Sequence, residues 1–173
     1  MTIRLETARL FLRWFTFDDL AAYFELASNR DVIRYVGNQP VASLDAAREL
    51  MIAAPLRDYA TYGYGRFACV WKESGQVVGF CGPKFLPDEQ EVDLGYRFLP
   101  DFWGKGLATE SSLAVIDYAR DQLGLQRLVG WVHQDNVASA RVLTKLGFSF
   151  EGKISRPSLP EGTFDLYAKL LRD

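Results

Sequence analysis

The sequence predicts an α/β (α+β) chain: one mixed, mostly antiparallel sheet of about seven strands, flanked by helices. Three observations predict it. Strand-like and helix-like stretches alternate along the chain, antiparallel hairpins stand near both ends, and a helical crossover lies near the middle. At 173 residues, with no linker, repeat or low-complexity segment, the chain reads as a single domain, 1–173.

"ETARLFLRWF" (6–15) alternates well enough to be a first strand. Thr16 followed by Asp19 has the capping-box spacing and opens a helix through "FDDLAAYFELAS". "SLDAARELMIAAPLRDYATYG" (43–63) is helical in period, with Ser43 as N-cap and Pro55 placed to kink or split it. "GRFACVWK" and "QVVGFCGPKF" form a hairpin turning at Ser74-Gly75, and the strand "QEVDLGYRFL" follows. A helix runs from about Gly104 to Gln122, with Gly124 as its stop. "LQRLVGWVH" is the next strand. "NVASARVLTKLG" is a short helix capped by Asn136 and stopped by Gly147. "FSFEGKISR" and "GTFDLYAKLL" close the chain as an antiparallel pair.

Composition narrows the function classes. Hydrophobic residues make up 49% and charged residues 24%, which is ordinary for a globular domain and argues against disorder. A net charge of −2 without a Lys/Arg block argues against an extended nucleic-acid footprint. "MTIRLETARLFLRWF" is interrupted by charges throughout, so neither a signal peptide nor a membrane span is read; a reducing cytoplasm is the expectation for two cysteines that do not pair. Pairing Glu73 with Gln76 puts Cys69 opposite Phe80 and Cys81 opposite Ala68, hence the two thiols on opposite faces of the sheet and no disulfide. One histidine, His133, and no Cys/His cluster predict no metal site.

"DFWGKGLATE" (101–110) stands between a strand and a helix and places Gly104 and Gly106 around Lys105. Strand, glycine turn and helix N-terminus together form a general device for holding phosphate. A Walker-type loop is excluded because Lys105 is followed by Gly106, and a dinucleotide fingerprint because Thr109 stands where its third glycine belongs. The glycine pair alone fits an ordinary turn equally well.

The surrounding segments decide. "TARLFLRWFTFDDLAAYFEL", "VDLGYRFLPDFWGKGLATE", "NVASARVLTKLGFSFEG" and "FDLYAKLL" occur in this order along nearly the whole chain. Together they resemble the GNAT superfamily of acetyl-CoA-dependent N-acetyltransferases, most closely its ribosomal-protein alanine N-acetyltransferase branch. The family consensus Gln/Arg-x-x-Gly-x-Gly/Ala falls on Trp103, Gly106 and Ala108; tryptophan in its first place is similar to that branch. The resemblance implies the GNAT fold and acetyl-CoA as co-substrate. It also implies a coenzyme site along Phe98, Leu99, Trp103, Gly104, Lys105, Gly106, Leu107, Ala108 and Thr109, with Asn136 from the second coenzyme segment. Small residues suit this turn because several backbone N–H groups must converge on a pyrophosphate, which a Cβ would obstruct.

Acetyl transfer to an amine requires a group that removes the ammonium proton, stabilisation of the carbonyl oxygen, and a proton for the departing thiolate. In "EVDLGYRFL", Val92, Leu94, Tyr96 and Phe98 share one face and Glu91, Asp93, Gly95 and Arg97 the other. Asp93 is the candidate base, with Glu91 or bulk water in reserve; its alternative is a structural ion pair with Arg97 or a neighbouring strand. Family members place a tyrosine acid before "KLGF", where this chain has Leu143, and the branch's N-x-x-S pattern moves that role to Ser139. Ser139 as mere helix packing is the other reading. His133 is expected to pack, Arg141 and Lys145 either meet phosphate or form a solvated face, and Arg34 and Tyr35 flank the region where an acceptor would enter. The acceptor is expected to be the amine of a protein or peptide N-terminus, with a small-molecule amine (polyamine, amino acid or aminoglycoside) as the alternative. A non-catalytic acyl-CoA-binding module is the competing class. A monomer or homodimer is expected.

Overall fold

The computed structural model describes residues 4–37, 39–154 and 164–172. The expected strand ends at 155–156 and 162–163 lie outside the described residues. Strands β1 (Arg4–Glu6) and β2 (Leu10–Trp14) open the chain. A 3₁₀ turn (Phe17–Asp19) leads into α1 (Leu20–Ser28) and α2 (Arg30–Ile33). Next come α3 (Leu44–Met51) and α4 (Arg57–Tyr62), then β3 (Phe67–Trp71), β4 (Val77–Leu86) and β5 (Glu91–Phe98). Helix α5 (Leu107–Asp121), β6 (Arg127–His133), α6 (Val137–Lys145), β7 (Ser149–Ile154) and β8 (Phe164–Leu170) complete it.

Among the described residues the sheet has eight strands in the order β1-β2-β3-β4-β5-β6-β8-β7. The additional strand arises because the expected first strand, 6–15, is only the second arm (Leu10–Trp14) of a hairpin whose first arm is Arg4–Glu6. The Thr7 amide donates to the Leu10 carbonyl at 2.9 Å, and the Leu10 amide to the Thr7 hydroxyl at 3.0 Å. A threonine-anchored turn without glycine or proline carries no punctuation that alternation reveals.

The cysteine register is corrected as well. The Trp71 amide donates to the Gln76 carbonyl at 2.8 Å, so the hairpin closes on a turn longer than two residues, and a bulge lies between Cys69 and Val70. Cys81 therefore pairs with Phe67, and Cys69 with Gly79. One step of slip moves a side chain to the other face. Both thiols consequently lie in the same core, free and fully buried, and burial raises the pKa of each.

Two apolar layers sandwich the sheet. Leu12, Phe67, Leu94, Phe98, Val115, Ala119, Leu128 and Leu143 fill the layer beneath α5 and α6. Phe15, Tyr23, Ala47, Met51, Tyr59 and Ala68 fill the opposite layer beneath α1, α3 and α4. Pro55 sits in a π turn, Ile52–Leu56, between α3 and α4; the wider turn absorbs the hydrogen bond that proline cannot make. Asp19 accepts the Thr16 amide at 2.9 Å, so the expected helix start forms.

All strand pairs are antiparallel except β5 and β6, which are parallel with a single register pair, Asp93–Val129. Beyond that pair the two strands diverge, and the sheet opens at their C-terminal ends. Helix α5 is the crossover between them. Its N-terminus faces the region where parallel α/β strands offer space to a ligand.

Candidate active site

A cavity of about 150 Å³ occupies the gap between β5 and β6. It brings Asp93, Gly95, Tyr96 and Arg97 of β5 together with Gly130–His133 of β6, and with Asn136 and Ser139 at the start of α6. Two of the expected catalytic positions, Asp93 and Ser139, thus line one space with Asn136. Glu91 does not line it: its carboxylate accepts from Arg127 Nε at 3.1 Å.

Asp93 is held by Arg66, which sequence reasoning missed. The Arg66 guanidinium pairs with Asp93 Oδ2 and donates to the Asp93 carbonyl at 3.0 Å and to the Gly82 carbonyl. It lies directly over Gly95, where any Cβ would collide with it. Glycine in the middle of a strand is thereby explained by close approach of another chain segment. The ion pair is made neither with Arg97 nor with an adjacent strand: Arg66 immediately precedes β3 and reaches Asp93 across β4. Asp93 Oδ1 accepts no hydrogen bond from the described residues.

Ser139 sits in the first turn of α6. The Asn136 side chain caps that helix, accepting the Ser139 amide at 3.2 Å. Tyr96 reaches across from β5, its hydroxyl 2.9 Å from the Ser139 carbonyl and 3.0 Å from Ser139 Oγ. Burial raises the Tyr96 pKa, so the phenol is protonated at neutral pH. The alternation pattern placed Tyr96 on the core face and gave no sign that its hydroxyl has a partner. Leu143 is fully buried and packs on Gly130, so no hydroxyl is available from that position.

His133 packs against Tyr35 and Phe164, at ring distances of 5.6 and 5.3 Å, and its Nδ1 accepts the Asp135 amide at 3.2 Å. Tyr35 also lines the cavity, with the Arg34 guanidinium 5.4 Å from its ring centre. Arg141 and Lys145 are exposed.

The glycine turn forms a helix-terminal cradle. Gly104 and Gly106 have φ of +70° and +79°, left-handed values that residues with a Cβ rarely adopt. Gly106 is the N-cap of α5 and contributes no capping side chain. Helix geometry leaves the first amides, those of Leu107, Ala108 and Thr109, without intrahelical acceptors. They point outward at the positive end of a 15-residue helix. Trp103 braces the approach, its indole N–H donating to the Phe98 carbonyl at 2.7 Å. The Lys105 ammonium stands 5.1 Å from the Phe102 ring centre. Leu99 contributes no free amide, because its N–H is spent on the Val78 carbonyl at 2.9 Å.

A second device missed in the sequence fastens this turn. Glu110, in the first turn of α5, accepts from the Thr7 hydroxyl at 2.7 Å, the Arg9 amide at 2.8 Å and Arg9 Nε at 2.8 Å. Arg9 in turn donates to the Lys105 carbonyl at 2.8 Å. The β1–β2 hairpin therefore clamps the glycine turn from both sides.

Comparison with known proteins agrees with this geometry. Residues 9–149 match the family described as acetyltransferase (GNAT) domain. An uncharacterized N-acetyltransferase of Bacillus subtilis, YoaA, is 33% identical over 160 residues, covering 92% of this chain and 90% of that protein. A spermidine N(1)-acetyltransferase of Escherichia coli is 34% identical over 154 residues, covering 85% of this chain and 76% of its own length. Among solved structures, the ribosomal-protein alpha-N-acetyltransferase RimL in complex with coenzyme A superposes with a TM-score of 0.82 at 20% identity, over 98% of both chains. That likeness establishes the fold.

Proposed function

The chain belongs to the GNAT acetyltransferase family, and from that membership we propose that it moves the acetyl group of acetyl-CoA to the amine of a protein or peptide N-terminus. The observation that carries the reading is the β5–β6 gap. It joins a carboxylate and a hydroxyl pair in one space, and the strand that carries them, β5, leads through the glycine turn into the uncapped N-terminus of α5. The residues present fit the coenzyme: the uncapped amides of Leu107, Ala108 and Thr109 would hold its pyrophosphate, and no Cβ at Gly104 or Gly106 stands in the way. The bound thioester supplies the activated acetyl group.

On this reading Asp93, directly or through an oriented water, takes the ammonium proton, since an amine of pKa about 8 is mostly protonated at neutral pH. The neutral nitrogen attacks the carbonyl carbon; the N–C bond forms and the C–S bond breaks. Backbone alternation on β5 turns the amides of Tyr96 and Phe98 toward the gap, because the Leu99 amide is directed to β4, and these donors would face the developing oxyanion. Ser139, with Tyr96 behind it, would return a proton to the thiolate.

RimL's name supports the peptide acceptor. The spermidine-acetylating relative supports a second reading, in which the acceptor is a small amine. Both are tested by incubating the protein with acetyl-CoA and a panel of peptides and small amines, following free thiol release and acceptor mass. Thiol release matched by N-acetylated peptide is expected. Coenzyme binding without turnover on any amine would instead identify an acyl-CoA-binding module.

A further inference from the structure

Arg97 is placed unlike the other arginine beside the reaction gap. It stands on the β5 face shared by Asp93 and Gly95, and it lines two cavities: the β5–β6 gap and a neighbouring cavity of about 230 Å³. The second cavity is bordered by Ala27, Ile33, Val41 and Leu50 of the α1–α3 layer. Arg66 is satisfied by Asp93 and two carbonyls. Arg97 has neither a carboxylate nor a hydrogen-bond partner among the described residues; its contact is with the Phe80 ring, 5.0 Å from the ring centre.

A partly buried guanidinium without a counter-ion is costly to the fold, and part of the cost is recovered when an anion binds it. Burial, with the Arg66 charge beside it, pushes the Arg97 pKa down to about 10, so the group still carries its charge at neutral pH. The described lining of the gap holds one carboxylate, Asp93, against the guanidinium groups of Arg66 and Arg97. Such a lining repels a polycation and attracts an anion. Arg97 follows Tyr96 on β5 with its side chain on the opposite face, that of Asp93, so it borders the gap from the side of the proposed base.

We propose that Arg97 selects acceptors carrying a carboxylate within a few bonds of the amine to be acetylated. This rests on the acetyl-transfer reading above and names its substrate class. Two sources share that chemistry: an acidic side chain at the start of a peptide, and the α-carboxylate of a free amino acid.

The test measures kcat/KM by thiol release on Ala-Asp-Ala-amide, Ala-Ala-Ala-amide and Ala-Lys-Ala-amide, on free alanine and aspartate with their amides, and on spermidine. The wild-type protein is expected to favour acceptors with a carboxylate by about tenfold to a hundredfold, the range of a charged hydrogen-bonded pair. Preference for Ala-Asp-Ala-amide assigns the side-chain source; preference for free amino acids over their amides assigns the α-carboxylate. Arg97→Met should erase the preference through KM for the acceptor, leave KM for acetyl-CoA unchanged, and regain part of it as Arg97→Lys. Transfer with no preference in the wild-type protein, or a favoured spermidine, overturns the carboxylate selection while leaving acetyl transfer intact; so does a preference that survives Arg97→Met. Failure to acetylate any amine overturns both. Should Arg97→Met not fold, the wild-type series decides alone, its preference shrinking as salt is raised.

Discussion

The Tyr96 hydroxyl lies 2.9 Å from the Ser139 carbonyl and 3.0 Å from Ser139 Oγ, joining β5 to the first turn of α6 across the reaction gap. Tyr96 has one proton for two acceptors. Donated to Oγ, it frees the serine proton for the departing thiolate. Donated to the carbonyl, it leaves the serine proton directed at Tyr96. The first arrangement makes the pair a relay, the second a strut.

The relay predicts that Ser139→Ala and Tyr96→Phe lower kcat by similar amounts. A coenzyme thiol should resemble the model value of about 8.5, so its thiolate leaves fairly well unaided. The expected loss is about tenfold to a hundredfold, or about 1.4–2.7 kcal/mol of barrier. Steady-state kinetics on a confirmed acceptor compares the two. Full activity in Ser139→Ala would show that the serine only packs, and a loss confined to stability in Tyr96→Phe would identify the strut.

Asp93→Asn should lower kcat by about 10²–10⁴-fold while acetyl-CoA affinity barely changes. The loss should shrink as pH rises, because more of the acceptor amine is already neutral. A pH–rate profile of both proteins, with melting temperatures alongside, checks this. A variant that melts far below wild type assigns Asp93 to its ion pair with Arg66, and an active one assigns the proton to bulk solvent.

The Thr7–Arg9–Glu110 clamp predicts a coenzyme-binding defect far from any acceptor. Glu110→Ala leaves Arg9 unpaired and unfastens the glycine turn; acetyl-CoA affinity should fall by about tenfold, with about 1–3 kcal/mol of stability lost. Burial would raise the Glu110 pKa, but hydrogen bonds from Thr7 and Arg9 hold it below the usual value. A depressed folded-state pKa contributes stability that is present above the unfolded value, near 4.3, and lost as pH falls through the folded one. Acid unfolding of wild type and Glu110→Gln should therefore converge at the acid end. Parallel curves throughout would show that the clamp carries no charge-dependent stability.

What the sequence made legible is local. The α5 and α6 boundaries followed from glycines with left-handed backbones and from Asn136, whose cap is a contact over three residues. The alternation of β5 correctly put Asp93, Gly95 and Arg97 on one face. Contacts that turn these positions into a site join distant segments: Arg66 to Asp93, Tyr96 to Ser139, Arg9 to Glu110. No local pattern encodes them. The cysteine pair shows the same limit, since a single bulge in the β3–β4 pairing, with Val78 of β4 as its extra residue, reversed the face assigned from an ideal hairpin.

The central claim, that α5 and its glycine turn hold the coenzyme pyrophosphate, is tested most directly by thermal unfolding with coenzyme A. At a hundred times Kd the ligand adds about 2.7 kcal/mol, which raises Tm by roughly 5–10 °C for a domain of this size. Gly106→Glu places bulk and negative charge where phosphate would lie, at a backbone φ of +79° that glutamate tolerates poorly. The expected result is a clear rise for wild type and none for a folded Gly106→Glu protein. No rise for wild type at millimolar coenzyme, or an equal rise in both, would contradict the claim.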